Sequence, residues 1–302
     1  MDGSDARIGA ARLPSAPGVY RFRDARGRVL YLGRAVSLRR RVMSYWGDLR
    51  DRRHLRPMVA RIARVEAAVC ESGHEAAWLE RNLLRGSVPP WNRSPEGGQE
   101  TEVWIRLSES ARAPGLSVVH VPQRGDFGPY LGGQKARDAV SGLLRVMPLC
   151  YAGEGAGATS RDMARLRGVV PADRERLSAA LRAVLSQDAA AVAVARTGLE
   201  RRRDAASTAL QFEFAARLQA EMEALDWITA RQDVTNADLA DFDVHGWADG
   251  VLVRFEMRGG RLTAWRQRPC REAAATPLVA ATPPEWTAFA SRNAALAAHL
   301  LG

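Results

Sequence analysis

Residues 19–22 and 29–32 are short runs rich in β-branched and aromatic side chains, and Asp24-Ala25-Arg26-Gly27 lies between them. That pattern predicts an antiparallel β-hairpin. Pro14-Ser15-Ala16-Pro17 stops whatever precedes it, and Gly33 ends the second strand. Ser37 is then placed to N-cap a helix with Leu38, Val42 and Tyr45 on one side, ending at Gly47. Residues 54–64 read as helical and 65–70 as a third strand. Ser72-Gly73-His74-Glu75 fits a capping box that opens a helix through Arg85. The order β-β-α-α-β-α over residues 13–93 describes a compact α/β unit with a small mixed sheet.

Ser94-Pro95-Glu96-Gly97-Gly98 reads as a linker. Beyond it a middle region (101–195) has strands at 103–107 and 116–121, a helix at 134–146 and an Ala-rich helical stretch at 173–195. A longer helical segment follows at 197–232. Residues 251–255 and 261–265 flank Met257-Arg258-Gly259-Gly260 as a second hairpin, within a small C-terminal domain (241–302). There 273–284 reads as an Ala/Pro/Thr linker to a short terminal helix.

The net charge of +10 is unevenly spread. Residues 1–92 carry 18 Arg against nine acids, and 93–302 carry 26 Lys plus Arg against 25. A polyanion-facing surface therefore belongs to the first 92 residues. Lys135 is the only lysine among 44 basic residues, a bias that runs through the whole chain. Cys70, Cys150 and Cys270 lie far apart and form no CxxC or Cys/His metal spacing. No apolar stretch approaches the ~20 residues of a membrane span, and no signal-peptide core begins the chain. A cytoplasmic location without membrane contact is expected.

Tyr20 and Tyr31 fall on adjacent strands, where both phenols can share a face. Arg34 follows the second strand, Arg41 lies one turn into the next helix, Glu80 sits mid-helix and Asn92 follows Pro89-Pro90-Trp91. A phenol titrates near 10, and neighbouring cations favour phenolate, so Tyr31 beside Arg34 is a candidate proton acceptor for water. A hard cation such as Mg²⁺ needs only one or two carboxylates, with water and phosphate completing its shell; Glu80 alone suffices. Fixed charge from Arg34 and Arg41 suits a phosphate. Asn92 is expected to orient Glu80 or touch DNA. Ten Arg between positions 34 and 64 face only Asp48 and Asp51, and Arg39, Arg40, Arg52, Arg53 and Arg56 are expected to track a DNA backbone.

The segment LPSAPGVYRFRDARGRVLYLGRAVSLRRRVMSYW, with EAAWLERNLL and PPWN after it, resembles the GIY-YIG nuclease domain of the UvrC/Cho excinucleases over residues 13–92. The resemblance implies that Tyr20, Tyr31, Arg41, Glu80 and Asn92 are active-site residues, with Glu80 holding Mg²⁺ or Mn²⁺. At position 34 the family usually has Lys, so Arg34 keeps the charge without a neutral base. Residues 127–149 look like the segment that follows in UvrC, where four cysteines hold an iron–sulfur cluster. Only Cys150 stands there in this chain, so no cluster is expected. Residues 197–232 look like the UVR helical hairpin, and the stripe Phe212, Phe214, Leu218, Met222 and Leu225 is expected to meet UvrB, acting with UvrA.

The resemblance implies a Cho-like repair endonuclease that makes one metal-dependent cut on the 3′ side of a lesion in duplex DNA during nucleotide excision repair. A restriction or mobile-element nuclease of the same fold would need a sequence-reading module, and none is recognisable. A catalytically inactive DNA-binding or UvrB-docking protein is the third reading, and the intact Glu80 argues against it.

Overall fold

The computed structural model describes residues 3–47, 50–92, 100–154, 157–235 and 240–301, with all their side chains except those of 3–5 and 50–52. The linker expected at 94–98 lies outside the described residues. In chain order the elements are α1 (Gly3–Arg12), β1 (Gly18–Arg23), β2 (Val29–Ala35), α2 (Leu38–Met43), α3 (Arg56–Val59), β3 (Arg64–Val69) and α4 (Gly73–Gly86). They continue with β4 (Glu102–Ser108), β5 (Gly115–Val119), β6 (Phe127–Leu131), α5 (Gly133–Val146), α6 (Ala158–Leu166), α7 (Arg174–Leu185), α8 (Ala189–Thr208) and α9 (Phe212–Thr229). The last are β7 (Phe242–Ala248), β8 (Val251–Arg258), β9 (Arg261–Pro269), α10 (Glu272–Ala280) and α11 (Thr287–Leu301).

Two compact units result: one combines Met1–Gln99 with Arg231–Gly302, and the other is Glu100–Ala230. The C-terminal segment expected as a domain of its own thus packs with the first 99 residues.

In the first unit a three-stranded sheet runs β2-β1-β3. Both ladders are antiparallel, so the sheet expected to be mixed is not. The hairpin closes because Asp24 Oδ1 accepts the backbone N–H of Arg26 (3.0 Å) and Arg28 (2.9 Å), while Gly27 takes φ +76°, a conformation glycine adopts at no steric cost. α4 starts as its sequence predicts: Ser72 Oγ accepts the Glu75 N–H at 3.0 Å. The Glu75 carboxylate, however, accepts from the N–H of Glu71 (2.6 Å) and of Asp233 (3.0 Å) instead of closing on Ser72.

Both rims of this sheet are closed by asparagine amides. Asn92 accepts from Leu32 N (3.0 Å) and donates to Leu32 O (2.8 Å) on the β2 edge. Asn293 of α11 accepts from Val69 N (2.6 Å) and donates to Val69 O (3.2 Å) on the β3 edge. Each amide supplies the donor and acceptor that a further strand would offer, so neither edge is left open at that point.

The rest of this unit is a second antiparallel sheet, β7-β8-β9, with α11 against β3, β7 and β8 and β9 against α4. A buried charge cluster joins the two sheets. Arg21 pairs with Glu66, lies 3.9 Å over the Trp265 ring and donates to Trp265 O at 2.7 Å. Arg23 and Arg64 also reach Glu66, each at 2.8 Å. Burial pulls the Arg21 pKa down to about 10 against the pull of Glu66, and the three cations hold the Glu66 carboxyl below its ordinary value although burial alone would raise it.

The segment expected as a linker at 273–284 is mostly helix α10, which tolerates Pro277 inside it. The terminal helix is 15 residues long, not short.

The second unit has the antiparallel sheet β5-β4-β6, whose third strand the sequence pattern had not marked, and the helices α5–α9. The single helical stretch expected at 173–195 breaks between α7 and α8, where Gln187 takes φ +62°. α8 then runs through the boundary drawn at 195–197, and α8 and α9 form a helical hairpin turning at 209–211. Among the described residues no single helix is long and apolar enough to cross a membrane.

Candidate active site

Register places the phenols. Tyr20 stands opposite Gly33, and Phe22 opposite Tyr31, so the four share one face of the β1–β2 hairpin. A Cβ at position 33 would lie 2.7 Å from both the Tyr20 hydroxyl and Tyr31 Cε1; only glycine leaves room for the two rings. Tyr45, in the 3₁₀ turn Ser44–Trp46 after α2, completes a triangle. Ring centroids are 6.2 Å apart for Tyr20–Tyr31, 6.0 Å for Tyr20–Tyr45 and 6.1 Å for Tyr31–Tyr45. Phe22 packs beneath, 4.9 Å from Tyr45 and 5.3 Å from Tyr20.

Tyr20 and Tyr45 are fully buried, and their hydroxyls are hydrogen-bonded at 2.8 Å. The half-buried Arg41 bonds the Tyr20 hydroxyl, with its guanidinium 5.6 Å from the Tyr45 ring centroid. Burial alone would weaken the hold of Arg41 on its proton, but the three phenols outweigh it and raise its pKa further. Arg41 is a permanent cation.

β2 is an edge strand. Leu32 and Arg34 alternate with Tyr31 and Gly33, so they turn to the face that α4 covers, and the two faces meet at this rim. Glu80 of α4 comes to the rim with Oε2 3.3 Å from Arg34 Nε, and its side chain is 9% exposed. Tyr31 feels that carboxylate. Its pKa is pushed up by burial first, then by Tyr45 and Glu80, with Arg41 opposing. Tyr20 is likewise raised by burial, Tyr45 and Tyr31.

The expected phenolate at Tyr31 is therefore corrected. Arg34 turns its charge to Glu80, and burial wins over Arg41, so Tyr31 is a neutral phenol at neutral pH. Asn92 braces the same strand. Its oxygen accepts from Leu32 N and its nitrogen donates to Leu32 O, so it fixes the strand that carries Tyr31.

The structure thus brings together Tyr20, Tyr31, Arg34, Arg41 and Glu80, with Asn92 on the edge of the same strand. The sequence reading missed Tyr45, which helical spacing marked as core. A phenol predicted at a buried position needs a partner for its hydroxyl, and that requirement was the available signal.

Among the described residues no three His, Cys, Asp or Glu side chains gather into a cage. One carboxylate at a rim beside cations suits a hard divalent ion that keeps water and takes a substrate phosphate as further ligands. Arg39, Arg40, Arg53 and Arg56 are exposed on the helices beyond β2, though Arg39 Nε also donates to Leu13 O at 2.6 Å. The Arg52 side chain lies outside the described residues.

In the second unit the expected partner stripe is corrected. Leu218, Met222 and Leu225 are 0–1% exposed in the core against α5, whereas Phe212 (65%) and Phe214 (38%) remain at the surface. One face of α9 cannot fill its own unit and dock a partner at once.

Residues 16–93 match the family model of the UvrC-like GIY-YIG domain. The chain is 34% identical over 284 residues to UvrABC system protein C of Mycobacterium sp. (strain KMS), covering 88% of this chain and 42% of that protein. With UvrABC system protein C of Saccharopolyspora erythraea it shares 34% identity over 292 residues, 88% of this chain and 40% of the relative. The chain thus spans about two fifths of the length of the curated relatives it matches. A crystal structure of the GIY-YIG N-terminal endonuclease domain of UvrC from Thermotoga maritima, bound to its catalytic divalent cation magnesium, is 29% identical; it covers 30% of this chain and 99% of its own, with a TM-score of 0.27.

Proposed function

We propose that this chain, a homologue of UvrABC system protein C whose residues 16–93 are a UvrC-like GIY-YIG domain, is a metal-dependent DNA endonuclease of nucleotide excision repair. It makes a single phosphodiester cut, on the 3′ side of a lesion. The observation that carries this reading is the convergence of Glu80, Arg34 and Tyr31 on one strand rim, backed by the Tyr20–Tyr45–Arg41 cluster.

Glu80 would hold Mg²⁺ or Mn²⁺, which supplies positive charge to the scissile phosphate and its leaving oxygen. Arg34 keeps the Glu80 carboxylate aimed at the rim, and a phosphate entering there meets Arg34 and Arg41 as fixed countercharge. Tyr31 acts as a neutral phenol: its oxygen accepts a hydrogen bond and orients the attacking water, while Tyr20, Tyr45 and Arg41 hold that hydroxyl in place. Asn92 and Gly33 are positioning residues, the first fixing the strand and the second opening space between the rings. The exposed Arg40, Arg53 and Arg56 follow the duplex backbone. UvrB, with UvrA, presents the damaged DNA, and the exposed Phe212 at the hairpin tip is the side chain of the expected stripe left to meet it.

The test is nicking of a lesion-bearing duplex in Mg²⁺ or Mn²⁺, with UvrA and UvrB present. Glu80→Gln keeps the shape and removes the charge, and it is expected to abolish the cut while duplex binding persists. Undiminished nicking by that variant would remove Glu80 from the chemistry.

A further inference from the structure

Within the second unit a cavity of about 670 Å³ opens between the end of α5, the end of α6 and the turn of the α8–α9 hairpin. That lies inside the roughly 300–1,000 Å³ range of pockets that take small molecules. Arg145, Arg167, Arg202 and Phe214 line it, with Pro148 and Leu166 among its apolar walls and no carboxylate among its lining residues. The three guanidinium groups are unevenly compensated. Arg145 is chelated by Glu221, at 2.6 and 2.8 Å, and lies 5.2 Å from the centre of the Phe214 ring. Arg167 rests over the Tyr151 ring at 5.2 Å, and Arg202 donates to the Gly198 carbonyl at 3.3 Å. Among the described residues neither of these two faces an acidic partner. Two positive charges are left over at the mouth of one concavity, beside an exposed ring.

We infer that this cavity is a second nucleic-acid contact, one that takes a single strand by holding its phosphates on Arg167 and Arg202 and an unstacked base against Phe214. Crowding supports it: burial and then the neighbouring Arg167 and Arg145 lower the pKa of Arg202, a repulsion that an entering phosphate relieves. The choice of ligand follows from the mixture of groups. An inorganic anion would leave Phe214 and the apolar wall unused, and a duplex hides its base faces inside the stack. Cations that follow a backbone beside a ring open to stacking are what single-strand sites are built from. The inference does not rest on the nuclease reading, because it concerns the second unit alone and is read as binding without metal.

The experiment is fluorescence anisotropy of a labelled oligothymidine strand with the full chain in EDTA. An Arg39→Ala/Arg40→Ala background lowers binding by the basic face of the first unit. In that background Arg167→Ala/Arg202→Ala is expected to weaken binding about tenfold or more, and to reduce the slope of log affinity against log salt by about 1.4, or ~0.7 per lost phosphate contact. Phe214→Ala is expected to cost about fivefold or more with the salt slope unchanged, as loss of stacking requires. The three positions are exposed, so unchanged thermal midpoints show that the variants are folded. Oligothymidine binding that ignores both changes overturns the inference. So does a poly-glutamate peptide that binds more tightly than the strand and is lost in the same variants, which would assign the cavity to an acidic protein segment.

Discussion

Three phenols, each within about van der Waals reach of the next, share one guanidinium between them, and protonation decides what they can do. Tyr20 and Tyr31 are both raised above the ordinary phenol value near 10, by burial first and by their neighbours second. The sign follows directly: a raised acid stays neutral over a wider range, so neither ring becomes phenolate as pH climbs from neutrality toward about 9. The rate of nicking is therefore expected to show no rise attributable to tyrosine ionisation between about pH 7 and 9, in parent protein and Tyr20→Phe variant alike. A pH–rate profile measured at saturating Mg²⁺ checks this. A rising limb in that window that disappears in Tyr31→Phe would restore Tyr31 as a standing base. Tyr20 and Tyr31 were legible because strand alternation fixes their face, whereas Gly33, expected to end the second strand, lies inside β2 opposite Tyr20. The protonation state was not, because it depends on Tyr45 and Glu80, which reach the phenols only through the fold.

At the scale of elements, β1 and β3 carry charges that a strand interior rarely holds. Glu66 is fully buried and faces Arg21, Arg23 and Arg64. Replacing it by Gln leaves three cations without their anion, and breaking a buried pair in this way costs about 3 kcal/mol or more. The pH dependence has a definite direction. The folded carboxyl lies below its ordinary value, so its contribution is complete above the unfolded value near 4.3 and is lost as pH falls through the folded one. Denaturant titrations should show parent and Glu66→Gln far apart at pH 7 and converging in acid; equal stabilities at neutral pH would show that the cluster contributes nothing net. The hairpin, α4 and its Ser72 cap could be read locally, since turn, cap and alternation act within a few residues. Helix α10 could not, because Pro277 and an Ala/Pro/Thr composition mark a linker, and only packing against β7 makes a helix there.

Across the whole molecule, the match to the UvrC-like GIY-YIG domain ends at residue 93, yet the compact unit around it does not. The helix that carries Glu80 is held from the other side by residues far along the chain. Asn82, two positions beyond Glu80, donates to Val234 O (3.1 Å) and Thr235 Oγ1 (2.7 Å), Glu75 accepts from Asp233, and Arg261 lies over the Trp78 ring. Asn293 closes the β3 edge, and Trp265 covers Arg21. None of these partners leaves a trace in local sequence, because each joins positions 150 or more residues apart, which is why 241–302 reads as a separate domain. A fragment ending at Gln99 would expose Trp78 and the apolar face of β3, strip Asn82 of Val234 and Thr235 and Arg21 of Trp265, and leave the β3 edge open to pairing with other chains. It is expected to unfold or aggregate at temperatures where the full chain is folded, and to lose nicking even with Glu80, Arg34 and the three tyrosines intact. Circular dichroism melts, light scattering and the nicking assay on the two chains decide it. A fragment that melts cooperatively near the parent midpoint and cuts at the parent rate would mean that residues 231–302 merely rest on a nuclease that needs nothing from them.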